Sequence, residues 1–122
     1  MRYSVVWYGI GGLMLGAIVI GSLVPVPTMK AAPNDKLIHF LIYFLLMAWF
    51  GQLWLRRRWL ALGFVLLGLL LELAQGQTRY RTFEWYDVGA NSAGVLVAWL
   101  VVMTPLGKTL QRVDQWLQTV RA

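Results

Sequence analysis

Four apolar stretches, residues 5–24, 37–55, 59–75 and 86–104, dominate this chain and leave it few ways to fold. Each is close to the roughly 20 residues an α-helix needs to cross about 30 Å of hydrocarbon. Helices of that length in a water-soluble domain carry a broad polar face, and these do not. The 122 residues are 59% hydrophobic and only 13% charged, too apolar for a small domain whose surface must meet water. The reading is all-α: a polytopic membrane protein with four transmembrane helices in one domain, residues 1–104. A C-terminal amphipathic helix follows in residues 105–122.

Arg2 precedes the first stretch, as in a signal peptide, but the apolar run exceeds the roughly 7–15 residues of a signal core. Gly12 and Gly16 stand at the spacing that lets membrane helices approach closely, so the first helix is expected to be retained. Cysteine is absent, which removes disulfide and thiol chemistry. The net charge of +6 raises the question of nucleic acid. The cations sit in short loops, where they orient a membrane protein, so no nucleic-acid partner is expected. Arg56, Arg57 and Arg58 form the turn between the second and third helices. Placing that turn in the cytoplasm brings Arg2, Lys108, Arg112 and Arg121 with it, seven of eleven basic residues. Lys30, Lys36, Arg79 and Arg81 then lie outside, and both termini are cytoplasmic.

In this orientation the polar residues at membrane depth collect at the outer end. The second helix opens NDKLIHFLIYF, with Asp35, His39 and Tyr43 four residues apart on one face. The third ends LELAQGQ, where Glu72 and Gln75 share a face. The fourth begins EWYDVGANSAG, with Asp87 and Asn91 one turn apart. Below them the stripes turn small: Gly68, Val65 and Ala61 on the third helix, Gly94 and Ala98 on the fourth. Small residues let helix backbones approach, so these two stripes are expected to pack together. Glu72 should then meet a polar pocket, in contact with Asn91 or Asp87 and bridged by Arg81 or His39. A charge inside a membrane is costly, which makes Glu72 a functional-site candidate by default.

These blocks resemble the VanZ-like membrane proteins. DKLIHFLIYFLL is similar to the family's Asp-Lys-x-x-His block, carried by Asp35, Lys36 and His39, with Tyr43 following. ELAQGQTRYRTFEWYDVGANSAG is similar to its Glu-x-x-Gln, then Arg, two acids and Asn-x-x-Gly. Those positions fall on Glu72, Gln75, Arg81, Glu84, Asp87, Asn91 and Gly94. The likeness covers about half the chain, residues 35–94. Glu84 stands where an aspartate is expected, and Ala98 where a further glycine is common. The family takes its name from a protein linked to teicoplanin resistance. The resemblance implies a bacterial envelope protein of the inner membrane with a possible relation to glycopeptide resistance, and no defined reaction.

Two kinds of function fit the cluster, and a third reading needs no ligand. As a binding module it would engage a lipid or lipid-linked envelope precursor through Asp35, Lys36, His39, Tyr43, Glu72, Gln75, Arg81, Glu84, Asp87 and Asn91. As an enzyme it would draw its catalytic group from His39, Glu72 and Asp87, with Asp35 orienting the imidazole and Arg81 holding phosphate. The third reading has the polar contacts only lock the helices together. A single histidine without cysteine lacks the usual zinc sets. No metal or cofactor is the expectation, with a carboxylate-rich magnesium or calcium site at His39, Glu72 and Asp87 left open. Ser92 lies about 100° around its helix from Asn91, off the polar stripe, which removes a serine-hydrolase reading. The lipid bilayer is the expected surrounding, and a homo-oligomer stays open. Pro105 ends the fourth span and starts the tail. Leu106, Leu110, Val113, Leu117 and Val120 form a narrow apolar stripe, expected to lie on the membrane or to make a short coiled coil.

Overall fold

The computed structural model describes residues 2–23, 35–54, 56–77 and 85–121. The described residues are helical throughout their length, apart from short turns. Four long helices, α1 (Ser4–Leu23), α2 (Asp35–Leu53), α3 (Arg57–Gly76) and α4 (Trp85–Val102), follow one another. A 3₁₀ turn (Pro105–Lys108) then leads into α5 (Thr109–Arg121). The expectation of an all-α chain with a C-terminal helix is met. Three of the helices, α1, α4 and α2 over residues 36–53, are long and apolar enough to cross a membrane. The remaining long helix, α3, has 20 residues and includes Arg57, Arg58 and Glu72.

Residue pairings set the directions of the helices. Lys36 at the start of α2 pairs with Asp87 at the start of α4, and His39 with Asn91, separations of 51 and 52 residues. At the far end Gly51 of α2 faces Val102 of α4. The offset stays at 51 or 52 from end to end, so α2 and α4 lie parallel. Between them α3 returns: Arg57 at its start donates from Nε to the Gly51 carbonyl oxygen at 2.7 Å. Gly68, three turns on, lies against Asn91 and Tyr43. The Arg57 bond also satisfies one of the carbonyls that the last turn of α2 leaves without a helical partner. α1 runs opposite to α2, with Trp7 and Tyr8 near its start against the end of α2. Trp49 Nε1 donates to the Trp7 carbonyl at 2.8 Å, and the Tyr8 hydroxyl donates to the Leu53 carbonyl at 2.9 Å.

The most extensive packing is between α2 and α4. A Cβ at Gly94 would stand 2.3 Å from the Phe40 carbonyl oxygen and 3.0 Å from the Phe44 amide nitrogen, so only glycine permits this approach. The expected packing of α3 against α4 is present, with Gly68 against Asn91 and with Ala61 and Ala98 in one buried core. Gly94 is the exception: it lies against α2. The buried core joins the three helices through Tyr43, Leu46, Met47, Ala61, Phe64, Val95 and Ala98. Outward, Leu37, Leu41 and Leu45 on α2, and Leu62, Leu66 and Leu70 on α3, form exposed rows four residues apart. In water such rows would be an aggregation hazard, whereas hydrocarbon is their natural surrounding.

α1 is the least embedded long helix, with only Trp7 and Gly11 buried. Gly11, rather than the expected Gly12 and Gly16, is the glycine in close contact. A Cβ there would meet the Phe50 ring at 2.7 Å, while Gly12 and Gly16 face open space. Pro105 behaves as its position predicts: α4 stops before it, and Thr104 caps the 3₁₀ turn by accepting from the Leu106 amide at 3.3 Å.

The tail differs from the expectation of a helix merely resting on the membrane. Asp114 of α5 is fully buried and accepts from the backbone amides of Arg2 (3.1 Å) and Tyr3 (2.9 Å) and from Trp7 Nε1 (2.8 Å). Gln118 Nε2 donates to it from within α5 at 2.6 Å, and Gln52 Oε1 accepts from the Leu110 amide at 2.8 Å. The acid thus caps the start of α1, where backbone N–H groups have no helical partner and negative charge is favoured. Desolvation pushes the Asp114 carboxyl up, but the hydrogen bonds, led by the Trp7 indole and the Tyr3 amide, outweigh it and hold the group below the usual range. Of the expected stripe, Leu110 turns inward while Leu106, Val113 and Val120 stay exposed. The tail therefore docks on the bundle and still shows an apolar face outward.

Candidate functional site

At the end of the bundle opposite Asp114, polar side chains from α2, α3 and α4 converge. α2 contributes Lys36, His39 and Tyr43, which the helical repeat of about 3.6 residues places on one face. α4 contributes Asp87 and Asn91 by the same spacing, and α3 contributes Glu72. Their neighbours on the opposite faces, such as Leu37, Leu41 and Leu73, point outward. The local sequence alone therefore turns the polar set inward.

The contacts form rungs between the parallel helices. The Lys36 ammonium donates to Asp87 Oδ1, and its side chain is 44% exposed against 5% for Asp87. This pair stands at the mouth of the bundle. One turn deeper, His39 Nδ1 lies 3.0 Å from Asn91 Oδ1. In the tautomer that donates from Nδ1, Nε2 becomes the basic nitrogen of the ring. Deeper again, Tyr43 is buried and lies within electrostatic reach of the Glu72 carboxylate. Glu72 itself is 2% exposed. Gly68, one turn before Glu72, clears room for the Asn91 side chain: a Cβ there would stand 3.2 Å from Asn91 Cβ and Nδ2. No buried side-chain nitrogen or oxygen among the described residues lacks a hydrogen-bond partner.

The expected residues thus divide. Lys36, His39, Tyr43, Glu72, Asp87 and Asn91 come together. Arg81 and Glu84, with Arg79, lie outside the described residues, as do the side chains of Asp35 and Gln75. The imidazole, expected to be oriented by Asp35, has Asn91 as a partner. Ser92 is half-buried beside this row, not in it. Among the described residues no three of His, Cys, Asp and Glu are placed to hold a metal ion, His39, Glu72 and Asp87 included.

The sequence model of the VanZ/LLP1 family matches residues 7–107. The chain belongs to that family. No curated protein matches it, and no solved structure does. The VanZ/LLP1 match runs from Trp7 in α1 to Gly107 in the 3₁₀ turn, so it takes in all four long helices and every member of the polar cluster. With its apolar helices the chain is a VanZ-type membrane protein. Asp114 falls beyond the VanZ/LLP1 match, and it is the buried polar residue that the sequence reading missed. The available signal was its place on the inward face of α5, one turn from Leu110 and one from Gln118.

Proposed function

We propose that this VanZ/LLP1 protein spans the bacterial inner membrane four times, with both termini cytoplasmic, and uses its outer-end cluster to bind a lipid or lipid-linked envelope precursor. Residues 1–104 are the membrane domain and residues 105–122 a cytoplasmic tail. Crossing by α3 is supported by the parallel arrangement of α2 and α4, since a single helix must return between them. At about 1.5 Å per residue, a helix of 20 residues reaches about 30 Å. The RRR turn on the cytoplasmic side gives the orientation.

The observation that carries the binding reading is the placement of a lysine, a histidine and two acids at one end of the bundle, at the depth of its apolar segments. The Lys36–Asp87 pair stands at its mouth, with Lys36 half-exposed and Asp87 buried. An ammonium at that depth suits the phosphate of a lipid headgroup, and the polar groups below it suit hydroxyl or amide functions. Arg81, Glu84, Asp35 and Gln75 complete the proposed ligand set. The test is native mass spectrometry of protein purified from its own membrane, compared with Lys36→Ala. A polyprenyl-phosphate-type lipid that is retained by the parent and lost in the variant is the expected result. No specific lipid in either sample favours the packing reading. A role in glycopeptide resistance is tested separately by teicoplanin susceptibility of a deletion strain.

A further inference from the structure

The other end of the bundle carries a cleft of different chemistry. Arg56, Arg57, Arg58, Trp59, Trp99 and Met103 line an open space of about 600 Å³ between the start of α3 and the end of α4. Arg57 is fixed by its Nε bond to Gly51, and the Arg58 guanidinium lies 5.8 Å from the centroid of the Trp59 ring, within cation–π range. Among the described residues none of the three arginines makes an ion pair. Asp114, the described buried acid at this end, accepts from four other donors. The positive charge of the cleft therefore calls for an anion from outside the chain. Its wall is also apolar: Trp59 is 60% and Met103 64% exposed, and the surface continues into the exposed Leu100 and Leu62. A soluble anion would use the guanidinium groups alone and leave that wall bare.

We infer that this cleft is a binding site for an anionic phospholipid. The headgroup phosphate is held by Arg57 and Arg58, and the acyl chains run down past Met103 and Leu100. Guanidinium groups hold phosphate oxygens bidentately, and basic clefts between membrane helices are suited to such headgroups. In the orientation proposed above, this is a lipid of the inner leaflet, on the opposite side from the Lys36–Asp87 cluster.

The full chain in nanodiscs of equimolar phosphatidylglycerol and phosphatidylcholine, released and weighed by native mass spectrometry, tests the site. The parent should retain phosphatidylglycerol preferentially. Each arginine near an anionic lipid contributes roughly fivefold, so Arg57→Gln with Arg58→Gln should weaken retention about 25-fold. Met103→Trp fills the cleft without changing charge and should also reduce retention; it decides alone if the double variant fails to fold. Lys108→Gln with Arg112→Gln, basic residues elsewhere in the chain, should leave retention unchanged. Equal retention of the two lipids by the parent overturns the inference. So does undiminished retention when the cleft is altered, an equal loss in the Lys108 and Arg112 variant, or displacement of the lipid by inorganic phosphate.

Discussion

His39 Nδ1 and Asn91 Oδ1 stand 3.0 Å apart one turn below the Lys36–Asp87 pair, so the two contacts are successive rungs between parallel helices. Hydrogen bonds between membrane helices contribute on average about 0.6 kcal/mol, with about 1.7 as an upper value. A double-mutant cycle of His39→Ala and Asn91→Ala, read by unfolding in mixed detergent, should give a coupling in that range. Strict additivity would remove the rung from the stabilising interactions.

Gly94→Ala should be among the most damaging single-methyl substitutions in the bundle. The added Cβ would stand 2.3 Å from a backbone oxygen of α2, which has no rotamer by which to yield. Overpacking of this kind costs about 1–3 kcal/mol. Gly89→Ala on the same helix meets nothing within 4 Å and should be neutral or slightly stabilising. Equal melting of the two variants would argue against close α2–α4 contact.

Glu72→Gln separates binding from packing. If Glu72 is protonated, glutamine is a near-isostere and stability should change by less than about 1 kcal/mol, whereas for a charged and paired Glu72 the loss would be about 3–5 kcal/mol. Retention of the native lipid should fall in either case. A parallel loss of both would assign Glu72 to packing alone. If Arg81 pairs with it, the combined Glu72→Gln and Arg81→Gln variant will depart from the sum of the single effects.

Docking of the tail should withstand mild acid. The Asp114 carboxyl lies below its ordinary value in the folded protein, so the stability it confers is fully present above the unfolded pKa. That stability is lost only as pH falls through the depressed folded value. Protease resistance of residues 109–121 should therefore be constant from neutral pH down to about 5. Asp114→Asn should abolish it at every pH, because the amide exchanges one acceptor oxygen for a donor facing other donors. Loss of protection near pH 6 in the parent would contradict this account.

The proposed orientation has a direct assay. Cysteines introduced as Gln77→Cys and Arg57→Cys should react oppositely with a membrane-impermeant thiol reagent in intact cells, the first labelled and the second protected. External labelling at Arg57→Cys would invert the topology and move the polar cluster to the cytoplasmic side.

Much of this arrangement was legible in the sequence. Apolar stretches 5–24, 37–55, 59–75 and 86–104 foreshadow helices that begin and end within a few residues of them. Lys36, His39, Tyr43, Glu72, Asp87 and Asn91 stood out because polar side chains are costly in such segments. Periodicity identifies the face a residue occupies, not the helix it meets. For that reason the stripe pairs Gly94 with α3, whereas it packs on Phe40 and Phe44 of α2. Gly12 and Gly16 had the right spacing but the wrong azimuth, since tertiary packing turned Gly11 inward. Asp114 was hidden by its setting: in a mixed polar helix one more acid is unremarkable until Arg2, Tyr3 and Trp7 are seen beside it.

The Asp114 clamp also sets an order on assembly. It joins residues separated by 112 positions, and translation delivers one side of the joint long before the other. While the ribosome still holds α5, the amides of Arg2 and Tyr3 must be served by water or by a transient partner. α1 is thus made before α5 and sealed only after it. A ribosome that stalls after α4 would release a bundle with its core contacts in place but its earliest turn unsecured. Such a chain is open to quality-control proteolysis at the start of α1, far along the chain from the missing α5.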